Sequence, residues 1–260
     1  MKTREDIVKG FYANYREEDR LQKDRQGQME FITTMHYIHQ YLKPGDKVVE
    51  IGAGTGRNSI ALAEEGYDVT AVEYSDANVA KLQENVKDIP NVSAYQGDAV
   101  NLEMLDDDSF DVVLLFGPMY HLYTREEQDA ALREAARIAK PGGVVLIAFL
   151  SIHAIMYTNY VCSRGGSFTK GAALNFDENF KVYHTPEQIF TGFDIAEFEE
   201  LVDASPLKRE KTVACDCMLE LAKLVDSFGL EHRGDVFLHL AVEDVDPYAG
   251  LFFEHHIILY

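Results

Sequence analysis

The run Val48-Val49-Glu50-Ile51-Gly52-Ala53-Gly54-Thr55-Gly56-Arg57-Asn58 joins the apolar pattern of a buried strand directly to three alternating glycines and the polar start of a helix. A chain leaving a strand for a helix must turn within a few residues. Glycine, having no Cβ, permits both that turn and the close approach of a ligand to the backbone. The run therefore commits this part of the chain to an α/β arrangement with a nucleotide-type cofactor loop. The spacing is Gly-x-Gly-x-Gly; the dinucleotide fingerprint needs Gly-x-Gly-x-x-Gly, and its last position is held by Arg57. Close packing of a pyrophosphate on the helix start is disfavoured. Glu50 sets a carboxylate at the strand end, where it repels a pyrophosphate and suits a ligand bearing an ammonium or sulfonium.

That charge argues for S-adenosylmethionine, and the next two strands add acids in matching places. Asp68 to Glu73 reads as a short buried strand ending in Glu73, 21 positions beyond Gly52, where a carboxylate can accept both hydroxyls of a ribose. Asn91 to Gln96 reads as a third strand, closed by Gly97-Asp98-Ala99. Asp98 could accept from an adenine amino group, or serve as a turn or helix cap.

With these residues in view, the chain resembles the class I S-adenosylmethionine-dependent methyltransferases from about Lys43 to Leu150. Glu50 to Gly56 looks like the family's first motif, Glu73 like its ribose acid, and Asp98 with Ala99 like its adenine contact. Phe110 to His121, followed by Lys140-Pro141-Gly142-Gly143, looks like its fourth strand, its active-site edge and the turn into its fifth strand. The resemblance implies a Rossmann-like, seven-stranded, mostly parallel sheet with helices on both faces, an antiparallel last strand, N-terminal helices and lid insertions. It also implies cofactor contacts from Tyr15, Glu50, Gly52, Ala53, Gly54, Gly56, Glu73, Tyr74, Asp98, Ala99 and Phe116, with S-adenosylhomocysteine as product. Tyr12 and Tyr15 would close over the methionine end of the cofactor, as N-terminal helices do in similar methyltransferases, or would simply pack.

Period and punctuation divide the chain further. Residues 1–42 read as a helical cover, with Phe31, Met35, Ile38 and Leu42 at helical spacing, ended by Pro44-Gly45. Strands at Lys47 to Ile51, Asp68 to Glu73, Asn91 to Gln96, Phe110 to Phe116 and Val144 to Leu150 then alternate with helices from about Arg57, Asp76 and Thr124. This implies a parallel sheet in a cofactor-binding core over residues 43–150. Thr124-Arg125-Glu126-Glu127 is a capping box. Residues 151–260 read as lid elements and remaining strands of the same single domain. They include an irregular stretch Ser163 to Gly171, a helix after Thr185-Pro186, an extra helix over Met218 to Phe228, and last strands at Leu207 to Ala214 and Phe253 to Tyr260.

Composition excludes several partners. A formal net charge of -20, from 44 acids against 24 bases, repels phosphate backbones, so nucleic acid is not expected. No apolar run approaches the roughly 18 residues of a membrane span, and Met1 to Asp6 lacks a signal-peptide pattern. A cytoplasmic location is expected. Cys162, Cys215 and Cys217 suit neither a disulfide framework nor a zinc site, and the nine histidines are scattered, so no metal is expected.

The expected chemistry is in-line methyl transfer to a small-molecule acceptor, in which alignment and exclusion of water do most of the work. If the acceptor is a hydroxyl, His121 or Tyr120 at the fourth strand's end is the nearest catalytic candidate, although His121 could equally satisfy backbone groups. Gly117-Pro118 departs from the Asn-Pro-Pro-aromatic motif, which disfavours methylation of an amide or exocyclic nitrogen. A nicotinamide-dependent oxidoreductase and a non-catalytic cofactor-fold protein are the alternatives, the first opposed by Glu50 and Arg57.

Overall fold

The structure, a computed structural model, describes residues 3–15, 17, 25–152, 183–184, 189–214 and 255–259, with 25–26, 214 and 255–259 as backbone only. The stretch Ser163 to Gly171, the helix over Met218 to Phe228 and all three cysteines lie outside the described residues; of the helix expected after Thr185, residues 185–188 lie outside them and 189–194 are not helical, the next helix starting at Ile195. Two helices, α1 (Arg4–Tyr12) and α2 (Arg25–Tyr41), precede β1 (Lys47–Ile51), α3 (Arg57–Glu64), β2 (Asp68–Glu73), α4 (Asp76–Val86), β3 (Val92–Gln96) and β4 (Phe110–Leu115). A 3₁₀ turn at Pro118–His121 leads to α5 (Arg125–Ile138), β5 (Ala139–Leu150), α6 (Ile195–Asp203), β6 (Lys211–Ala214) and β7 (His255–Leu259).

Five parallel strands in the order β3-β2-β1-β4-β5 form the sheet that positions the site. Its central strands are apolar along their length because helices cover both faces, and successive residues serve opposite cores. Val49, Ile51, Val113, Leu115, Val145 and Ile147 pack with Ala131, Leu132, Ala135 and Ile138 of α5. Val48, Val112, Leu114 and Leu146 pack with Met35 and Ile38 of α2 and Leu62 of α3. Each such Leu or Ile, fully buried, contributes about 1.5 to 3 kcal/mol. β7 pairs antiparallel with β5, from Leu146↔Leu259 to Leu150↔His255, and β6 pairs antiparallel with β7.

Two elements differ from their expected bounds for local reasons. Lys140-Pro141-Gly142-Gly143, expected as a turn before the strand, lies inside β5 as an irregularity: Phe110 pairs with Ala139, but Val112 pairs with Val144. Gly142 takes φ 79°, and a Cβ on Gly143 would stand 2.9 Å from the Lys140 carbonyl and 3.0 Å from that of Asp111. The strand expected from Leu207 begins only at Lys211, because the Leu207 amide is spent on the Ser205 hydroxyl at 3.2 Å in the exit from α6. The capping box is present as expected: Glu127 N–H donates to Thr124 Oγ1 at 3.2 Å and Thr124 N–H to Glu127 Oε2 at 3.2 Å.

Candidate cofactor and acceptor site

The sheet order reverses between β1 and β4, and in open parallel sheets that switch point, at the carboxyl ends of the strands, is where ligands lie. The glycine loop leaves β1 there. Gly52, Gly54 and Gly56 take φ of 84°, 56° and 93°, the left-handed region that side chains rarely enter. At Gly52 the need is also steric, since a Cβ would stand 2.1 Å from the Phe116 carbonyl oxygen. At Gly54 a Cβ would meet the Glu17 side chain at 3.2 Å. Gly52 and Ala53 both donate their amides to the Val72 carbonyl, at 2.8 and 3.0 Å, which ties the loop to the end of β2.

Glu73, at that end, is 6% exposed and turns its carboxylate onto the loop. Gly54 N–H donates to Oε2 at 2.8 Å; Ser75 N–H donates to Oε1 at 2.9 Å, with Asn78 Nδ2 at 3.4 Å. Burial nevertheless raises its pKa, against these donors. The neighbouring Ser75 hydroxyl is buried with no hydrogen-bond partner among the described residues. On the next strand end, Asp98 accepts from Val100 N–H at 3.3 Å and from Arg4 of α1. Arg4 also reaches Glu127 at 3.2 Å and lies 5.3 Å from the centre of the Tyr74 ring, with Lys9 at 5.5 Å from the same centre.

Glu50 is held differently from its expected place facing a ligand. Its carboxylate is 2% exposed and turned into the first turn of α3, accepting from Asn58 Nδ2 at 2.8 Å, Ser59 N–H at 3.0 Å and the Ser59 hydroxyl. An acid at a helix N-terminus satisfies amides that have no intrahelical partner. Burial still raises its pKa to about 7, with the nearby Glu73 charge acting in the same direction. Phe116 has its ring in the core with Met35, Ile38 and Leu62, while its carbonyl lies against Gly52 of the loop. Ala53 and Ala99 are likewise buried in apolar clusters.

At the far side of the switch point, His121 is 8% exposed within the 3₁₀ turn. Burial lowers its pKa to about 4, so the ring is neutral near pH 7. Since a carbonyl only accepts, Nδ1–H donates to the Ile189 oxygen at 2.8 Å, leaving Nε2 to accept from the Tyr12 hydroxyl at 3.1 Å. Tyr123 donates its hydroxyl to the same carbonyl at 3.0 Å. Tyr12 and Phe190 flank the imidazole, Phe11 packs edge-on against both of them, and Tyr15, 41% exposed, stacks on Phe11 at 5.1 Å. Tyr120 packs partly into the core, and its carbonyl accepts from Thr191 N–H at 2.7 Å.

The structure therefore brings the glycine loop, Glu73, Tyr74 and Asp98 together, and places Tyr12, Tyr15, Tyr120 and His121 beside one another. Sequence reasoning missed Arg4, Ser75, Asn78 and Ile189. Asn78, one turn into α4, was open to a spacing argument from Glu73; Arg4 and Ile189 gave no local signal. This donor and acceptor set fits S-adenosylmethionine: Glu73 can accept from two ribose hydroxyls, the unpartnered Ser75 hydroxyl stands beside it, and Asp98 can accept from an exocyclic amine.

Residues 48–143 match the family model described as a methyltransferase domain. Over these residues the chain carries a methyltransferase domain. The chain is 34% identical over 109 residues to the demethylmenaquinone methyltransferase of Beutenbergia cavernae, a stretch that covers 42% of this chain and 42% of that relative. The chain thus spans under half the length of this curated relative. Among solved structures, the PH0226 protein of Pyrococcus horikoshii superposes with a TM-score of 0.64 at 18% identity, covering 97% of this chain and 98% of that one. An S-adenosylmethionine-dependent methyltransferase from Methanosarcina mazei gives 0.56 at 18% identity, covering 86% and 95%. At these identities the two structures speak for the fold of the methyltransferase domain alone. Among the described residues, no helix is long and apolar enough to cross a membrane and no group of three His, Cys, Asp or Glu could hold a metal.

Proposed function

We propose that this protein transfers a methyl group from S-adenosylmethionine to a small-molecule acceptor. The observation that carries this reading is the Glu73 carboxylate held against Gly54 of a left-handed glycine loop, at the switch point of the parallel sheet. When bound, the cofactor supplies an electrophilic methyl group on a sulfonium. Glu73 would hold the ribose, Asp98 the adenine amino group and Tyr74 the adenine face, while the loop from Gly52 to Gly56 lets the backbone come close. Glu50 acts at one remove, by fixing the start of α3 against the loop. The relatives named demethylmenaquinone methyltransferase support a small-molecule acceptor.

His121 serves as a hydrogen-bond acceptor that orients what lies on its Nε2, and not as a proton store. A general base works best with a pKa near the working pH, and burial holds this imidazole far below it. Methyl transfer by alignment needs no such base. α1, lying across the strand ends through Arg4, Lys9 and Tyr12, is the covering element, with Tyr12 and Tyr15 on the acceptor side. We read β7 and β6 as completing a seven-stranded sheet whose last inserted strand is antiparallel, a reading supported by the β5–β7 pairing.

Calorimetric titration with S-adenosylmethionine, S-adenosylhomocysteine and NAD tests the cofactor. Binding of the first two and not the third is expected; binding of NAD alone would replace this reading with an oxidoreductase. Incubation with labelled cofactor and a metabolite extract should then transfer label to a small molecule.

A further inference from the structure

Arg4 makes the two contacts that an adenine ring would make at the same place. Its guanidinium is flat and carries N–H donors on its edge, as adenine does with its amino group. It donates to the Asp98 carboxylate while lying 5.3 Å from the centre of the Tyr74 ring. These are the acceptor and the aromatic face assigned above to adenine. The ion pair is partly sheltered, with the two side chains 17% and 27% exposed, so solvent screens it less than a surface pair.

From this we infer that Arg4 is a built-in competitor for the adenine subsite, and that cofactor binding displaces it from Asp98. The inference rests on the cofactor reading above. The displaced side chain has a second place to go, because its Nε already reaches Glu127 Oε1 at 3.2 Å. The rest of α1 need not leave. Lys9 holds Asp76 at 3.3 Å and Tyr12 holds His121 at 3.1 Å, both on the side of the helix away from its first turn. The first turn is thus the moving part, and its release exchanges one partner for Asp98 for another.

The consequence has the opposite sign from that of an ordinary cover, whose loss weakens binding. A site that its own side chain occupies most of the time shows an affinity reduced by the fraction left open. With Asp98 paired about nine-tenths of the time, Arg4→Ala should bind S-adenosylhomocysteine about tenfold more tightly than the wild type. Adenosine, which reaches only this end of the site, should gain by a similar factor. Arg4→Lys keeps the charge but not the flat fork, and should fall between the two. Calorimetry on the three proteins reads these affinities, and equal or weaker binding to Arg4→Ala overturns the inference. Hydrogen exchange on the wild type gives a second reading that needs no variant: amides of Ile7 to Lys9 should lose protection when S-adenosylhomocysteine binds, and gained protection would also overturn it. If no protein binds S-adenosylhomocysteine or adenosine, the cofactor reading itself fails and the inference falls with it.

Discussion

The Tyr12 hydroxyl donates to His121 Nε2 at 3.1 Å because the other ring nitrogen is already committed to the Ile189 carbonyl at 2.8 Å. A backbone oxygen thereby fixes the tautomer of a side chain 68 residues away, and a helix 109 residues upstream reads the result. Neutrality of the ring is required for that hydrogen bond, and burial enforces it.

Methyl transfer should therefore show no titration that belongs to His121 between about pH 6 and 8, since a pKa near 4 leaves the ring neutral throughout. Rate profiles of wild type and His121→Gln should run parallel over this range. An inflection near pH 6.5 in the wild type alone would show that the imidazole titrates during turnover. For stability the sign is that of a base with a lowered pKa: the unfolded state binds more protons between about pH 4 and 6.5, so His121 makes stability rise with pH across that window.

Glu50 should act in the opposite direction. Its folded pKa of about 7 stands above the ordinary 4.5, so the folded state binds the extra proton between those values. Its contribution is fully present below about pH 4.5 and is lost as pH rises through 7, for an order of magnitude of about 3 kcal/mol. Glu50→Gln should remove this slope: denaturant midpoints should match the wild type near pH 5 and exceed it near pH 8. The Asn58 amide can turn to meet the new donor, since its oxygen has no partner among the described residues. A wild-type slope that persists in the variant would place the titration elsewhere.

If Glu73 holds the ribose as proposed, removing its carboxylate costs an acceptor whose charged hydrogen bonds are worth about 1.5 to 3 kcal/mol. Glu73→Ala should weaken S-adenosylhomocysteine binding about tenfold or more, measured by calorimetry on protein shown to be folded by circular dichroism. An unchanged dissociation constant would remove Glu73 from the site.

Gly54→Val places a branched side chain at φ 56° and pushes it toward Glu17. The backbone strain alone costs about 1 to 2 kcal/mol, and the added methyl groups take space beside the loop. Cofactor affinity should fall by at least about tenfold, and retained affinity would mean that the loop does not meet the ligand.

Thr124→Ala removes the hydroxyl that caps α5 and should lower stability by about 1 kcal/mol without altering cofactor affinity. Thermal unfolding and calorimetry, read together, separate the two effects. A loss of affinity would link the cap to the site through Glu127 and Arg4.

By itself, the sequence determined the parallel core and the place of its glycine loop. Apolar strands such as Val48 to Ile51 and Phe110 to Leu115, the alternating glycines, and the Thr124 capping box each carry their structure in residues a few positions apart. Period, turn chemistry and caps are local, so they are legible without the fold. Only the tertiary structure decided which way side chains of ambiguous chemistry turn. Glu50 could have met a ligand, but buried amides at the start of α3 claimed it. Phe116 sends its ring into the core between α2 and the sheet and keeps only its carbonyl against Gly52. Arg4 meets Asp98 across 94 positions and Tyr12 meets His121 across 109, pairings that no local pattern encodes. They depend on where α1 lands on the finished sheet, and that is set by the summed packing of residues from the whole chain.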